Sequence, residues 1–219
     1  MFSYRVKICS LFGINVRIDA TWLLLAALIV WSFATSAYPQ SVRGLPPGEY
    51  WAMAVATALG LMGSILFHEM AHALVARRYG IQISGITLFI FGGVAEMETE
   101  PPSARSELLM AIAGPAASMV LGLSLFALLG TSSASPAVAS VLQYLGVINW
   151  TLAIFNLVPA FSLDGGRVLR AALWWWGHDL LWATRIASGF GNGFGAFLIL
   201  LGLFRVITAW QAVWRSSCT

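Results

Sequence analysis

The chain has 219 residues, of which 59% are hydrophobic and only 10% are charged. A soluble domain of ordinary composition is about one quarter charged, so this composition indicates an integral membrane protein. The net charge of +3 is too small and too scattered for a nucleic-acid-binding protein. The cysteines, Cys9 and Cys218, lie at opposite ends and form no metal-binding or redox motif.

Five segments are apolar and long enough to cross a bilayer as helices. In chain order they are Ala20 to Tyr38, Trp51 to Tyr79, Ser106 to Gly130, Ala137 to Val158 and Ala183 to Phe204. A short helix, Asp164 to Trp176, is expected between the fourth span and the fifth. The segment Val206 to Arg215 is too short and too polar to span, so we expect a separate helix on the membrane surface.

The positively charged residues predict how these spans are oriented in the membrane. If the spans alternate, the residues that fall on one side are Arg5, Lys7, Arg17, Arg77, Arg78, Arg105, Arg167 and Arg170. The opposite loops hold only Arg43, so we expect a protein of the cell membrane with its N-terminus in the cytoplasm. Arg205 and Arg215 break the pattern, because five spans place them outside. Either a sixth span is missing or this end does not cross.

The second span contains a His-Glu-x-x-His motif formed by His68, Glu69 and His72. On a helix this spacing places two imidazoles one turn apart on one face, where they can bind one zinc ion, and it leaves Glu69 free to act on water as a base. Ionisable groups within lipid are costly and are functional by default. The motif therefore predicts a zinc hydrolase that works inside the membrane. Arg77 ends this span, which puts the metal roughly 13 Å or less from the cytoplasmic face.

A catalytic zinc site needs a third protein ligand and keeps a fourth position for water. The candidates are Asp19, Glu96, Asp164 and the pair His178-Asp179. Asp164 stands out, because Pro159 would break the fourth span and the glycines after Asp164 permit a tight return. The other interpretation of Asp164 is an N-cap of the next helix. His178 follows three tryptophans, which is typical of a residue at the level of the lipid headgroups.

The segment from Ile81 to Glu98 is not helical in pattern. Its β-branched and aromatic residues flank Gly92 and Gly93, with Val94 following, which predicts a β-hairpin. An open sheet edge in lipid is tolerated only where it is buried or lines a cavity. One interpretation is a re-entrant hairpin beside the zinc, whose edge binds an extended substrate as an added strand. The other is an amphiphilic hairpin in the cytoplasm, and the pattern leaves both open.

Four motifs follow one another within the stretch from about residue 5 to about residue 205. They are Phe67-His68-Glu69-Met70-Ala71-His72-Ala73, Gly92-Gly93-Val94, Ala113-Gly114-Pro115-Ala116, and Asn156-Leu157-Val158-Pro159 with Asp164-Gly165-Gly166-Arg167. In this order they resemble the site-2 proteases, a family of intramembrane zinc metalloproteases. The resemblance implies that His68, His72 and Asp164 bind zinc and that Glu69 is the catalytic base. It also implies that Asn156 holds the substrate or its oxyanion.

The resemblance implies an all-α polytopic membrane protein with five transmembrane helices, a sixth being open, and a short re-entrant β-hairpin at 81–98. Residues 1–219 would form a single transmembrane protease domain, with one zinc ion per chain. Its substrate would be a transmembrane protein in the lipid bilayer, often a tethered regulator. Relatives usually carry a sixth span, and often a pair of cystathionine-β-synthase-type domains. The chain shows neither, and it has no room for a PDZ-like domain between Gly80 and Arg105.

Another function class stays open at this point. A membrane zinc-binding protein or transporter without protease activity would also place histidine and aspartate within its spans. It would not need Glu69 between the histidines, and it would offer several groups of ligands along a path. The sequence contains one such cluster.

Overall fold

Long helices dominate the structure, as the composition predicts. The structure is a computed structural model, and it describes residues 5–90, 92–97, 99–131, 133–160 and 163–216. The helices that are long and apolar enough to cross a membrane are Ala20–Ser41, Pro47–Arg78, Ala104–Thr131, Pro136–Asn156 and Leu180–Thr208. These five helices confirm the predicted polytopic helical fold, and each boundary lies within a few residues of the expected one.

The first span is interrupted, whereas the later helices are continuous. It consists of α1 (Ala20–Ser32), a π-helical turn (Phe33–Ala37) and α2 (Tyr38–Ser41). The helices that follow are α3 (Pro47–Arg78), α4 (Ala104–Thr131), α5 (Pro136–Asn156), α6 (Asp164–Gly177) and α7 (Leu180–Ser216).

The prediction of a separate helix after Arg205 is wrong, because α7 continues through this residue to Ser216. The physical reason is that residues 203–216 include neither glycine nor proline, so nothing in the backbone ends the helix there.

A four-stranded sheet lies beside the helices. Its strands are β1 (Arg5–Leu11), β2 (Ile14–Asp19), β3 (Ile83–Phe89) and β4 (Gly92–Met97), in the order β1-β2-β3-β4. The pair β3 and β4 is antiparallel and forms the predicted hairpin, while β2 pairs with β3 in parallel. The two N-terminal strands are additional to the expected hairpin. They pair on the side of β3, so β4 remains an edge strand of the sheet among the described residues.

The sheet packs against α1 and α3 through one hydrophobic cluster. The buried members of this cluster are Ile14, Trp22, Ile65, Met70, Ala73, Ile86 and Leu88. Met70 and Ala73 flank His72 on α3, so the cluster holds the sheet at the level of the His-Glu-x-x-His motif. Packing of this apolar face therefore places β4 next to the motif.

Polar side chains inside the bundle tie α3 to its neighbours. The Tyr38 hydroxyl is hydrogen-bonded to Thr57, and the Asn149 amide donates to the Ser64 hydroxyl at 2.9 Å. All four residues lie away from solvent, where hydrogen bonds between helices add to van der Waals packing. These bonds align α3 with α2 and α5, and hence align the motif it carries.

Candidate metal centre

The two histidines of the motif point into the interior from one face of α3. Their spacing of four residues brings both imidazoles to the same side of the helix. His68 and His72 are 3% and 6% exposed, and their Nε2 atoms lie 3.1 Å apart. A pair of buried imidazole nitrogens at this distance requires a proton or a cation between them.

Asp164 reaches this pair from the first residue of α6. The chain leaves α5 at Asn156 and returns so tightly that a Cβ on Gly165 would overlap the carbonyl oxygens of Leu157 and Val158. Glycine is therefore required at position 165 by the close approach of the backbone. The Asp164 Oδ2 atom lies 3.0 Å from His68 Nε2 and 3.2 Å from His72 Nε2.

The three ligand atoms have the separations that a tetrahedral metal site requires. With bonds of 2.0–2.1 Å, zinc ligands in a tetrahedron lie roughly 3.3 Å apart. The atoms of His68, His72 and Asp164 form a triangle with sides of 3.0, 3.1 and 3.2 Å. Burial raises the pKa of the Asp164 carboxyl, but its hydrogen bonds to His68 and His72 together outweigh burial and bring this pKa down to about 2. The carboxylate is therefore ionised and able to bind a cation.

Hydrogen bonds from α4 orient both imidazoles. His72 Nδ1 lies 2.7 Å from the carbonyl oxygen of Met110, and His68 Nδ1 lies 2.9 Å from the Ser118 hydroxyl. A carbonyl can only accept, so Nδ1 of His72 carries a proton, and loss of the second proton, at Nε2, would leave a lone pair there for a cation. This arrangement is the usual support for a metal-binding histidine.

The absence of a side chain at Gly114 makes room for the imidazole nitrogens of His68 and His72. A Cβ at this position would stand 2.6 Å from His68 Nε2 and would collide with the ring of His72 as well. The face of α4 formed by Met110, Gly114 and Ser118 therefore closes the site opposite α3. The donor set, its separations and this space all fit a zinc ion.

Glu69 lies in a cavity next to this group. The cavity has a volume of about 250 Å³. Its lining includes Glu69 and His72 from α3, Gly93, Val94, Ala95 and Met97 from β4, and Asp164 and Arg167 from α6. A peptide in this cavity would therefore meet the Glu69 carboxylate, two residues of the candidate metal group and the edge strand β4 together.

The other predicted ligand candidates lie elsewhere. Asp19 caps α1 by accepting hydrogen bonds from the backbone and hydroxyl of Thr21. Glu96 binds Arg5 and Arg17 on the sheet.

His178 ends α6 with a left-handed backbone, at a φ of 56°, and Asp179 caps the start of α7. Among the described residues, only His68, His72 and Asp164 form a group that could hold a metal.

Asn156 lies at the end of α5, where its Nδ2 donates to the Leu152 carbonyl at 2.9 Å. It does not line the described cavity. Conversely, sequence reasoning missed Met110, Ser118 and the space at Gly114 as parts of the site. The signal that could have found them is their spacing of four along one helix, since it places all three on one face of α4.

Comparison with known proteins assigns the family. A family model described as Peptidase family M50 matches residues 56–137 and 131–201. The chain therefore belongs to peptidase family M50. The finding confirms the resemblance to the site-2 proteases.

Relatives and one solved structure agree with this assignment. The protein sll0528 of Synechocystis, named as a zinc metalloprotease, is 38% identical over 206 residues, covering 93% of this chain and 53% of that protein. Rip3 of Mycobacterium tuberculosis, also named as a zinc metalloprotease, is 38% identical over 87% of this chain and 49% of its own length. The site-2 protease from Methanocaldococcus jannaschii superposes with a TM-score of 0.64 at 29% identity, covering 93% of this chain and 87% of that chain. The chain spans about half the length of the curated relatives it matches. Their names imply zinc as the metal.

Proposed function

We propose that this protein is an intramembrane zinc metalloprotease. It hydrolyses peptide bonds within transmembrane segments of substrate proteins and so releases membrane-tethered regulators. The observation that carries the proposal is that Glu69 lines the same cavity as the metal ligands His72 and Asp164. A site that only stored or carried zinc would have no use for a carboxylate beside an open cavity.

One zinc ion per chain is held by His68, His72 and Asp164. Three protein ligands leave a fourth position open, as catalytic zinc sites require. A zinc ion held there supplies Lewis acidity, which acidifies water and polarises a peptide carbonyl. Because α3, α4 and α6 each contribute to the site, its geometry is set before the substrate arrives.

Glu69 moves the protons of the reaction. It accepts a proton from the attacking water, whose oxygen forms a bond to the peptide carbonyl carbon. It then transfers this proton to the departing nitrogen as the carbon–nitrogen bond breaks, which yields a carboxylic acid and an amine. Glu69 is suited to this role because it is not among the residues that surround the metal position itself.

The substrate binds as an extended strand along β4. A helical peptide bond is shielded, since its carbonyl is already hydrogen-bonded within the helix, so the substrate has to unwind first. β4 offers an edge that no other described strand covers. The strand begins at Gly92, and its next residues, Gly93 and Val94, line the cavity with Glu69. Strand addition at such an edge is a common way to bind a peptide.

Asn156 assists by donating a hydrogen bond to a part of the substrate that lies outside the cavity of Glu69. One N–H of its amide is engaged with the Leu152 carbonyl. An amide group has two such hydrogens, so the second remains able to donate.

The protein spans the cell membrane with its N-terminus in the cytoplasm and its active site nearer the cytoplasmic face. Arg77 and Arg78 lie in the last turn of α3, and Arg105 lies in the first turn of α4 at the same end. Arg167 and Arg170 on α6 add to this positive end. Loops rich in arginine lie in the cytoplasm by preference.

A membrane zinc transporter is the other candidate. It would present several groups of ligands along a path, and the described residues contain one group. The structure therefore offers it less support than a protease.

The decisive experiment uses the purified protein and a labelled single-span substrate peptide in detergent. We expect the wild type to bind about one zinc ion and to cleave the peptide. Glu69→Gln should bind as much zinc and cleave at least 10²-fold more slowly, since it removes the base and no ligand. A chelator should stop the wild type, and added zinc should restore it.

Loss of zinc in Glu69→Gln would contradict the role of Glu69 as a base. Zinc uptake into liposomes by a wild type that cleaves no peptide would favour the transporter.

A further inference from the structure

Two arginines that lie one turn apart on α6 have different surroundings. Arg170 donates from Nε to Oε1 of Glu107 at 2.6 Å, and Glu107 is completely buried. Arg167 instead lines the cavity that contains Glu69. Its described hydrogen bond runs from Nη2 to the sulfur of Met97 at 3.5 Å. Arg170 is therefore engaged in the fold, whereas Arg167 faces the place where a substrate would lie.

The Met97 sulfur is a poor partner for a guanidinium. A thioether is a weak acceptor, and an arginine side chain has five donors. Among the described residues, no carboxylate comes within ion-pair distance of Arg167. Burial lowers the pKa of Arg167, and the charge of Glu107 acts against this change. A partly buried cation with only a weak acceptor beside it is costly, and a ligand that supplies a strong acceptor would relieve that cost.

The length of β4 gives an estimate of the distance between Arg167 and the cleaved bond. Gly93 begins the part of β4 that lines the cavity and lies against Glu69, while Met97 ends the strand next to Arg167. A strand rises about 3.3 Å per residue, so these two ends of β4 are roughly 13 Å apart. A substrate strand that places its cleaved bond at Glu69 would therefore pass Arg167 about four residues away.

We propose that Arg167 determines specificity by binding an acidic side chain of the substrate, about three to five residues from the cleaved bond. This inference rests on the proposed protease function and names a preference of that same site. The partner is a carboxylate because a guanidinium binds carboxylates through two parallel hydrogen bonds. Acidic residues are costly and rare in the middle of a membrane span, so this contact favours the flank of the substrate helix.

The test uses single-span peptides that are identical except for one residue. Glutamate, glutamine or lysine is placed in turn at each position within about five residues of the cleaved bond, on both sides, a range that follows from the rise of a strand. The wild type should prefer glutamate to glutamine at one of these positions by about tenfold in kcat/KM, because a hydrogen bond to a charged acceptor is the stronger one. The difference should lie mainly in KM, because the contact is made equally in the bound substrate and in the transition state.

Two variants and a matched control decide the origin of this preference. Arg167→Gln should remove the preference for glutamate, so that kcat/KM becomes the same for the glutamate peptide and the glutamine peptide. Arg167→Glu should prefer lysine at the same position. Arg170→Gln is the control, because it leaves the buried Glu107 without its ionic partner. It should lower the melting temperature and slow cleavage of all three peptides by the same factor.

The outcomes separate this inference from the proposed function. A wild type that cleaves all peptides without regard to charge remains a protease, but Arg167 then has no such role. The inference is also overturned if Arg167→Gln behaves as Arg170→Gln does. That result would mean that Arg167 stabilises the buried charge of Glu107, whose Oε2 has no hydrogen-bond partner among the described residues.

Discussion

Gly93 of β4 lies directly against the side chain of Glu69, so that a Cβ on Gly93 would stand 2.9 Å from Cδ and 3.0 Å from Oε1 of the carboxylate. The space that the missing side chain leaves is therefore filled by Glu69 itself. The glycine pair in the sequence indicates a surface that leaves room for a substrate backbone. The contact predicts a further role for Gly93, which is to hold Glu69 in one position.

Gly93→Ala should therefore reduce cleavage without removing zinc. The added methyl group displaces the Glu69 carboxylate, and a displacement of about 1 Å at a catalytic group can cost on the order of 10²-fold in rate. Zinc should stay, because Glu69 is not a proposed ligand. The measurements are kcat on a model transmembrane peptide and zinc content on the same preparation.

Gly92→Ala is the matched control for this change. Gly92 has a φ of +128°, and a Cβ there would meet nothing within 4 Å. The substitution should strain the backbone and lower the free energy of unfolding by on the order of 1–3 kcal/mol. Normal kcat in Gly93→Ala would show that Gly93 does not position Glu69.

Gly114→Ala should reduce zinc binding. The added Cβ would stand within 2.6 Å of His68 Nε2, in the space where the metal and the imidazoles meet. We expect a loss of zinc affinity of at least about tenfold, which is the lower end of the effect of disturbing the support of a ligand. Titration with a competing chelator measures it.

Gly130→Ala provides the control on the same helix. A Cβ at Gly130 would meet nothing within 4 Å, so this variant should bind zinc and cleave as the wild type does. Full zinc affinity in Gly114→Ala would contradict the proposed metal position.

Asp164→Ala should lower zinc affinity more than Gly114→Ala does, because it removes a proposed ligand. The expected loss exceeds the roughly 10–100-fold that removal of a supporting hydrogen bond costs. Zinc content after dialysis against a weak chelator is the measurement. Since Asp164 also begins α6, the melting temperature should be recorded for the same samples.

His178→Asn is the comparison for Asp164. His178 adopts a left-handed backbone at the end of α6, and asparagine tolerates this conformation. It should keep its zinc, because His178 lies apart from the group of three. If His178→Asn loses zinc and Asp164→Ala retains it, the proposed ligand set is wrong.

The membrane spans and the His-Glu-x-x-His motif could be predicted from local patterns. A span in lipid must satisfy its own backbone hydrogen bonds, so apolar length alone identifies it. The facing of His68 and His72 follows from helical periodicity, and the hairpin around Gly92 from β-branched and aromatic residues. In each case the information lies within a few neighbouring residues.

Strands β1 and β2 could not be predicted from local sequence patterns. Ile14 and Val16 alternate with polar residues and face the core, but the segment is short and its partner β3 lies about 70 residues further along the chain. Parallel pairing of this kind is decided by the packing of the sheet on α3. The extension of α7 past Arg205 could not be predicted for a different reason. The polar residues there indicate the end of a helix, but no glycine or proline ends it.

The sequence by itself determined that the chain has five spans and that His68 and His72 share one face of a helix. Only the tertiary structure decided what surrounds those residues. Gly93 and Gly114 are two glycines among 21, until folding places one against Glu69 and the other against the imidazoles. Arg167 and Arg170 are alike in sequence and differ because one turn of α6 directs one to β4 and the other to Glu107. Contacts between distant parts of a chain depend on how all the helices and the sheet pack together, and no local pattern contains that information.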